Sequence, residues 1–146
     1  MVIGRFETFS GRPTVDCYLD IKTIGVSGMV PFLIDTGADC TVLMPGDANS
    51  LGIDFDTLKH SQTVTSVGVG GECVDFLVPA ILMVRENKVA KAYRFGLRIA
   101  MDERALDGAP SLLGRDILQY WRILCDFPNK KLEIDILMED EEFALP

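Results

Sequence analysis

Leu33-Ile34-Asp35-Thr36-Gly37-Ala38-Asp39-Cys40-Thr41-Val42-Leu43 passes from apolar to polar and back to apolar. Phe32-Leu33-Ile34 reads as a buried strand, because a short apolar run bounded by turn residues fits a strand covered on both faces. Asp35 therefore leaves a sheet at a fixed point and is held rigidly. Gly37 permits a close backbone turn, with its amide free to aim at the Asp35 carboxylate. Thr36 can anchor the loop through its hydroxyl. By itself the triplet Asp-Thr-Gly is weak evidence, since a plain turn would carry it in roughly one chain in thirty of this length. Its meaning depends on what surrounds it.

Upstream, Thr14–Ile24 alternates. Val15, Cys17, Leu19 and Ile21 fall on one face, and Thr14, Asp16, Tyr18 and Asp20 on the other. That is the period of a half-buried strand. Val26–Gly28 reads as a turn, followed by a strand over Val30–Ile34. Downstream, Thr41–Leu43 is strand-like, and Pro45 suits the first turn of a short helix running to Leu51. Gln62–Val67 and Cys73–Val78 flank Gly68-Val69-Gly70-Gly71, which predicts a hairpin with a glycine-rich tip. Ile81–Val84 and Val89–Phe95 read as strands joined by the polar turn Arg85-Glu86-Asn87-Lys88. Asp102–Pro110 reads as a loop. Ile117, Leu118 and Trp121 form an apolar stripe that predicts a helix over Arg115–Trp121. Ile123–Asp126 and Leu132–Ile136 read as strands around Phe127-Pro128-Asn129-Lys130. The acidic end, residues 139–146, reads as a flexible tail. The expected fold class is mostly β, a closed or folded barrel with one short C-terminal helix, in a single domain over residues 1–146 with its core at about 12–136.

Composition narrows the function. The 146 residues suffice for a core without disulfide or metal staples. The formal net charge of −8 repels phosphate backbones and anionic lipid heads, so neither nucleic acid nor a membrane surface is an expected partner. Lys88, Lys91, Arg94 and Arg98 come nearest to a basic patch, but they are spread through strand positions and read as a solvated face. Met1–Ser10 lacks the apolar run of a signal peptide, and the expected location is cytoplasmic. Cys17, Cys40, Cys73 and Cys125 form no CxxC pair, and His60 is the lone histidine, so no metal or cofactor is expected. The cysteines read as mostly buried free thiols.

The segment around Asp35 resembles the active-site segment of the retropepsins, the aspartic proteases of retroviruses and their cellular relatives. Three further features follow the family's order. Gly68-Val69-Gly70-Gly71 resembles the flap that closes over substrate. Ser111-Leu112-Leu113-Gly114-Arg115-Asp116 resembles the second signature, two apolar residues and a glycine before a helix. Arg12-Pro13 resembles the arginine that reaches across the dimer.

The resemblance implies a retropepsin-like acid protease fold, a single-lobe subunit that forms a homodimer, and an aspartic endopeptidase acting on peptides or proteins through an Asp35/Asp35′ dyad. Asp35 is the catalytic residue, with Thr36, Gly37 and Ala38 as loop support. Substrate would be bound by Leu33, Asp39, Val42, Gly68, Val69, Gly70 and Leu112. The apolar walls among these favour hydrophobic side chains flanking the cut. Arg12, Asp39 and Arg115 would support the dimer through ion pairs, the alternative being solvated surface charges. Ala38 stands where pepsin-like relatives often carry serine, so a hydroxyl donor to the carboxylate is absent. The expected pH optimum is accordingly less acidic than a gastric enzyme's. Cys40 is either a small packing residue or an oxidation-sensitive thiol. The competing function is a catalytically silent binding or assembly module of the same fold.

Overall fold

Alternating side chains and short turns build a mostly β chain, and the computed structural model describes residues 1–68, 71–101 and 108–146 of it. The strands are β1 (Val2–Ile3), β2 (Arg5–Phe6), β3 (Pro13–Ile21), β4 (Val26–Ile34), β5 (Val42–Leu43), β6 (Gln62–Gly68), β7 (Gly71–Glu86), β8 (Val89–Ala100), β9 (Ser111–Leu113), β10 (Trp121–Asp126), β11 (Lys131–Ile136) and β12 (Glu141–Ala144). Among the described residues two short α-helices interrupt them, α1 (Pro45–Ser50) and α2 (Arg115–Leu118).

Six strands close on themselves. β3 pairs β4, β4 runs parallel to β9, β9 meets β5, β5 runs parallel to β8, β8 pairs β7, and β7 returns to β3. Closure gives each barrel strand a neighbour on both sides over at least part of its length. The inward positions follow the period of two: Val15, Cys17, Leu19 and Ile21 on β3, Val30 and Phe32 on β4, Leu82 and Val84 on β7, and Leu97 and Ile99 on β8 are all buried. β6 extends beyond β7 as the outer arm of a hairpin, with Gly68 opposite Gly71. Val69 and Gly70 lie outside the described residues. A second sheet of β1, β11 and β10 is separate from the barrel. In it the N-terminal strand pairs within its own chain, Val2 opposite Ile134.

Several local expectations change. Val26–Gly28 is strand, and the reversal lies earlier, in a 3-10 turn over Lys22–Ile24 closed by Gly25 at a φ of 66°. Glycine takes that left-handed conformation without steric cost. The strands expected on either side of Pro79 are one continuous β7. β6 covers this strand through Leu77 and β3 takes over at Ile81, so Val78–Ala80 have a neighbour only in β8. A proline is tolerated where one side of the strand donates to nothing. The helix expected over Arg115–Trp121 stops at Leu118. Trp121 is buried as the stripe requires, but as the first residue of β10, where its indole N–H donates to the Tyr93 hydroxyl at 2.8 Å.

The acidic end is not a loose tail throughout. Glu141–Ala144 pairs with β8, and Arg94 fastens it by donating from its backbone N–H to Asp140 and from Nε to Glu141. The loop expected over Asp102–Pro110 lies mostly outside the described residues. Of the cysteines Cys17 alone is buried, Cys125 is exposed, and all four are free thiols. No helix among the described residues is long and apolar enough to cross a membrane.

Candidate active site

The barrel delivers Asp35 to its position through two adjacent strands. β4 ends at Ile34 beside Leu113 of β9, and the Asp35 N–H donates to the Leu113 carbonyl at 3.1 Å. The loop then turns on itself. The Ala38 N–H donates to the Asp35 carbonyl at 3.2 Å, and the Gly37 N–H donates to Asp35 Oδ1 at 2.9 Å. A Cβ at position 37 would stand 3.2 Å from that same oxygen, so glycine is what lets the amide approach. Asp35 is half-buried, and its Oδ1 is fixed by a backbone donor. Thr36 is exposed and contributes through its carbonyl oxygen, which accepts from Arg115 Nη1 at 2.7 Å.

A second layer locks this loop to α2. The Arg115 N–H donates to the Ala38 carbonyl at 2.8 Å, and the Asp116 N–H to the Asp39 carbonyl at 3.2 Å. Thr41 is completely buried. Its hydroxyl donates to Asp116 Oδ1 at 2.7 Å and accepts the Gly114 N–H at 3.1 Å, while its own N–H donates to Asp116 Oδ2 at 3.0 Å. Gly114 is required for space. A Cβ there would lie 2.5 Å from the Cys40 carbonyl carbon and 2.6 Å from its oxygen. Ser111 adds a further tie, accepting from the Met44 N–H at 2.9 Å and donating to Asp47 at 2.5 Å.

Sequence reading missed Thr41, Asp116 and Ser111 as supports. The available signal was a polar residue inside each apolar segment, which burial forces into hydrogen bonding. The carboxylates near Asp35 are otherwise engaged. Asp39 is paired with Arg115 Nη2, and Asp116 is held by Thr41 and by the Ile117 N–H at 3.0 Å.

Of the expected substrate-binding residues, Asp39, Val42 and Leu112 border a cleft of about 500 Å³ beside the loop, facing Thr65, Ser66 and Val67 of β6. Leu33 stands opposite Leu112 in the β4–β9 register and is not among the described residues that border this cleft. Gly68 ends β6, next to the undescribed Val69 and Gly70. Arg12 does not reach the Asp39–Arg115 pair. Among the described residues its side chain contacts the Gly108 carbonyl, at a long 3.5 Å. The described residues contain no group of three or more His, Cys, Asp or Glu side chains placed to hold a metal ion.

A family model described as aspartyl protease matches residues 23–116. Among solved structures the chain is similar to EIAV protease in complex with an inhibitor. The identity is 24%, with a TM-score of 0.50 over 77% of this chain and 90% of that one. It is also similar to a retropepsin-like aspartic protease from Rickettsia conorii, at 18% identity and a TM-score of 0.57 over 99% of this chain and 92% of that one. At such identities the likeness is one of fold, and the fold is retropepsin-like. No curated protein sequence matches the chain.

Proposed function

The chain belongs to the aspartyl protease family, and on that premise we propose that it is an endopeptidase whose catalytic centre forms from Asp35 of two copies. One observation carries this reading. The half-buried Asp35 carboxylate is fixed by the Gly37 N–H, while Asp39 of the same loop and Asp116 of α2 are held by Arg115 and Thr41. A single chain therefore supplies half of the machinery. A twofold axis through the loop would bring a second Asp35 opposite the first, an isologous arrangement.

Two carboxyl groups in contact share one proton, because two adjacent negative charges do not both persist. The ionised group takes a proton from a water molecule, whose oxygen attacks the peptide carbonyl carbon. The protonated group gives its proton to the carbonyl oxygen, producing a gem-diol. Collapse of the gem-diol returns a proton to the dyad. The amide nitrogen takes a proton, and the C–N bond breaks to release an acid and an amine. The Gly37 N–H steadies the carboxylate in its ionised form. Arg115, bridging Thr36 and Asp39, holds the loop rigid at the place where the second copy docks. Arg12 of the opposite copy is the candidate to complete that ion pair, since among the described residues its side chain makes only a long contact, with the Gly108 carbonyl.

The test is to incubate wild type and Asp35→Asn with a peptide library at several pH values, with and without pepstatin, and to sediment the active fraction. Cleavage that is lost in the variant and runs with a dimer is expected. Identical background in both proteins would point instead to a silent module of the same fold, and full activity in a strict monomer would remove the shared dyad.

A further inference from the structure

The cleft beside the catalytic loop is not apolar throughout. Leu112, Val42 and Arg98 form a row across its floor, on three adjacent strands: Val42 stands opposite Leu112 of β9 on one side and opposite Arg98 of β8 on the other. On β8 the neighbours Leu97 and Ile99 are fully buried in the barrel, so Arg98 points outward between them, towards the cleft. The roof over Arg98 is Ser66 of β6. Arg98 Nη1 donates to Ser66 Oγ at 2.6 Å, and Ser66 Oγ donates to Asp75 at 2.5 Å. Asp75 is completely buried. The chain of bonds fixes the guanidinium in one orientation with, among the described residues, one donor in use, and an arginine has about five. The other charge at this wall, Asp39, is drawn to Arg115.

From this row we infer that the subsite takes a glutamate-type side chain of the substrate. Its methylenes would lie on Leu112 and Val42, and its carboxylate would meet Arg98. The inference rests on the peptidase reading above and narrows its substrate class, replacing the all-apolar preference expected from the sequence. A fixed guanidinium suits a carboxylate because the planar fork can donate two parallel bonds without first being ordered. An apolar side chain in the same place would cover the remaining guanidinium donors without satisfying them, which is unfavourable. Ser66 and Asp75 act as positioning residues.

The experiment uses peptides identical except for Glu, Gln, Asp or Leu at each position around the cleavage point. Two readouts are taken: kcat/KM with the wild-type protein, and direct binding of the labelled peptides to Asp35→Asn, which needs no turnover. At one position Glu is expected to exceed Gln and Leu by about tenfold or more, the scale of one charge-assisted bond. Arg98→Leu should abolish that ratio, and Arg98→Glu should transfer the preference to Lys. Circular dichroism and a thermal melt verify that the variants are folded. Should Arg98→Leu not fold, Ser66→Ala offers a second route, because it frees the guanidinium and should reduce the Glu-to-Gln ratio while Leu peptides respond less. Asp35-dependent cleavage with a ratio indifferent to both changes would overturn the subsite alone. No peptide binding and no cleavage would overturn the subsite together with the peptidase reading.

Discussion

Replacing Thr41 by valine removes one oxygen from the centre of the loop scaffold and leaves the side-chain outline unchanged. The hydroxyl is fully buried and has two partners, Asp116 Oδ1 and the Gly114 N–H. Losing a donor to a charged acceptor costs about 1.5–3 kcal/mol, and leaving a buried N–H unsatisfied costs about 1–3 kcal/mol. The two effects share one atom and do not add in full. The backbone N–H of Thr41 also still holds Asp116 Oδ2. A net destabilisation of about 3 kcal/mol follows, which for a chain of this size lowers the melting temperature by roughly 6–12 °C.

Urea unfolding at one fixed protein concentration measures this, because self-association would make the midpoint depend on concentration. Thr41→Ser keeps the hydroxyl and loses only a methyl group, so about 1 kcal/mol is expected. If Thr41→Val were no more destabilising than Thr41→Ser, the hydroxyl would not be what holds the loop to α2.

Gly114→Ala forces a methyl group against the Cys40 backbone, where no flexible side chain can give way. A loss of about 2–3 kcal/mol in urea unfolding is expected. Arg115→Lys loses the fork that spans Thr36 and Asp39. Under the dimeric reading it should raise the dissociation constant in sedimentation by about tenfold, whereas Arg122→Lys, in an exposed pair with Asp135, should barely change it.

Burial raises the Tyr93 hydroxyl from its ordinary 10.0 to about 12, against the lowering effect of the Trp121 indole donor. The native state therefore keeps a proton that the unfolded state releases. Stability from this group is complete below pH 10 and declines as pH rises towards about 12. Absorbance titration of wild type against Tyr93→Phe, with melts at each pH, checks both parts.

The alternation of β3 and the apolar approach to Asp35 were legible because a period of two and a buried run are local properties of the chain. The same holds for the triplet Asp-Thr-Gly, whose glycine matters within two residues of itself. Ring closure was not local. It joins β4 to β9 and β5 to β8, strands far apart in sequence, and those parallel pairings are what bring Gly114 and Asp116 under the loop.

The helix beyond Leu118 was misread because an i, i+4 apolar pair fits both a helix and a turn entering a strand. Burial of Trp121 and its bond to Tyr93 chose the second. The gap between the expected strands Cys73–Val78 and Ile81–Val84 is strand as well, because nothing in a linear string says which side of a strand lacks a neighbour. Residue order thus specified the carboxylate, its turn and the barrel class, all written in near-neighbour chemistry. The mixed floor of the cleft came from packing. Arg98 looks like an ordinary solvated cation until strand pairing sets it beside Val42, and charge placement across strands has no counterpart in sequence spacing.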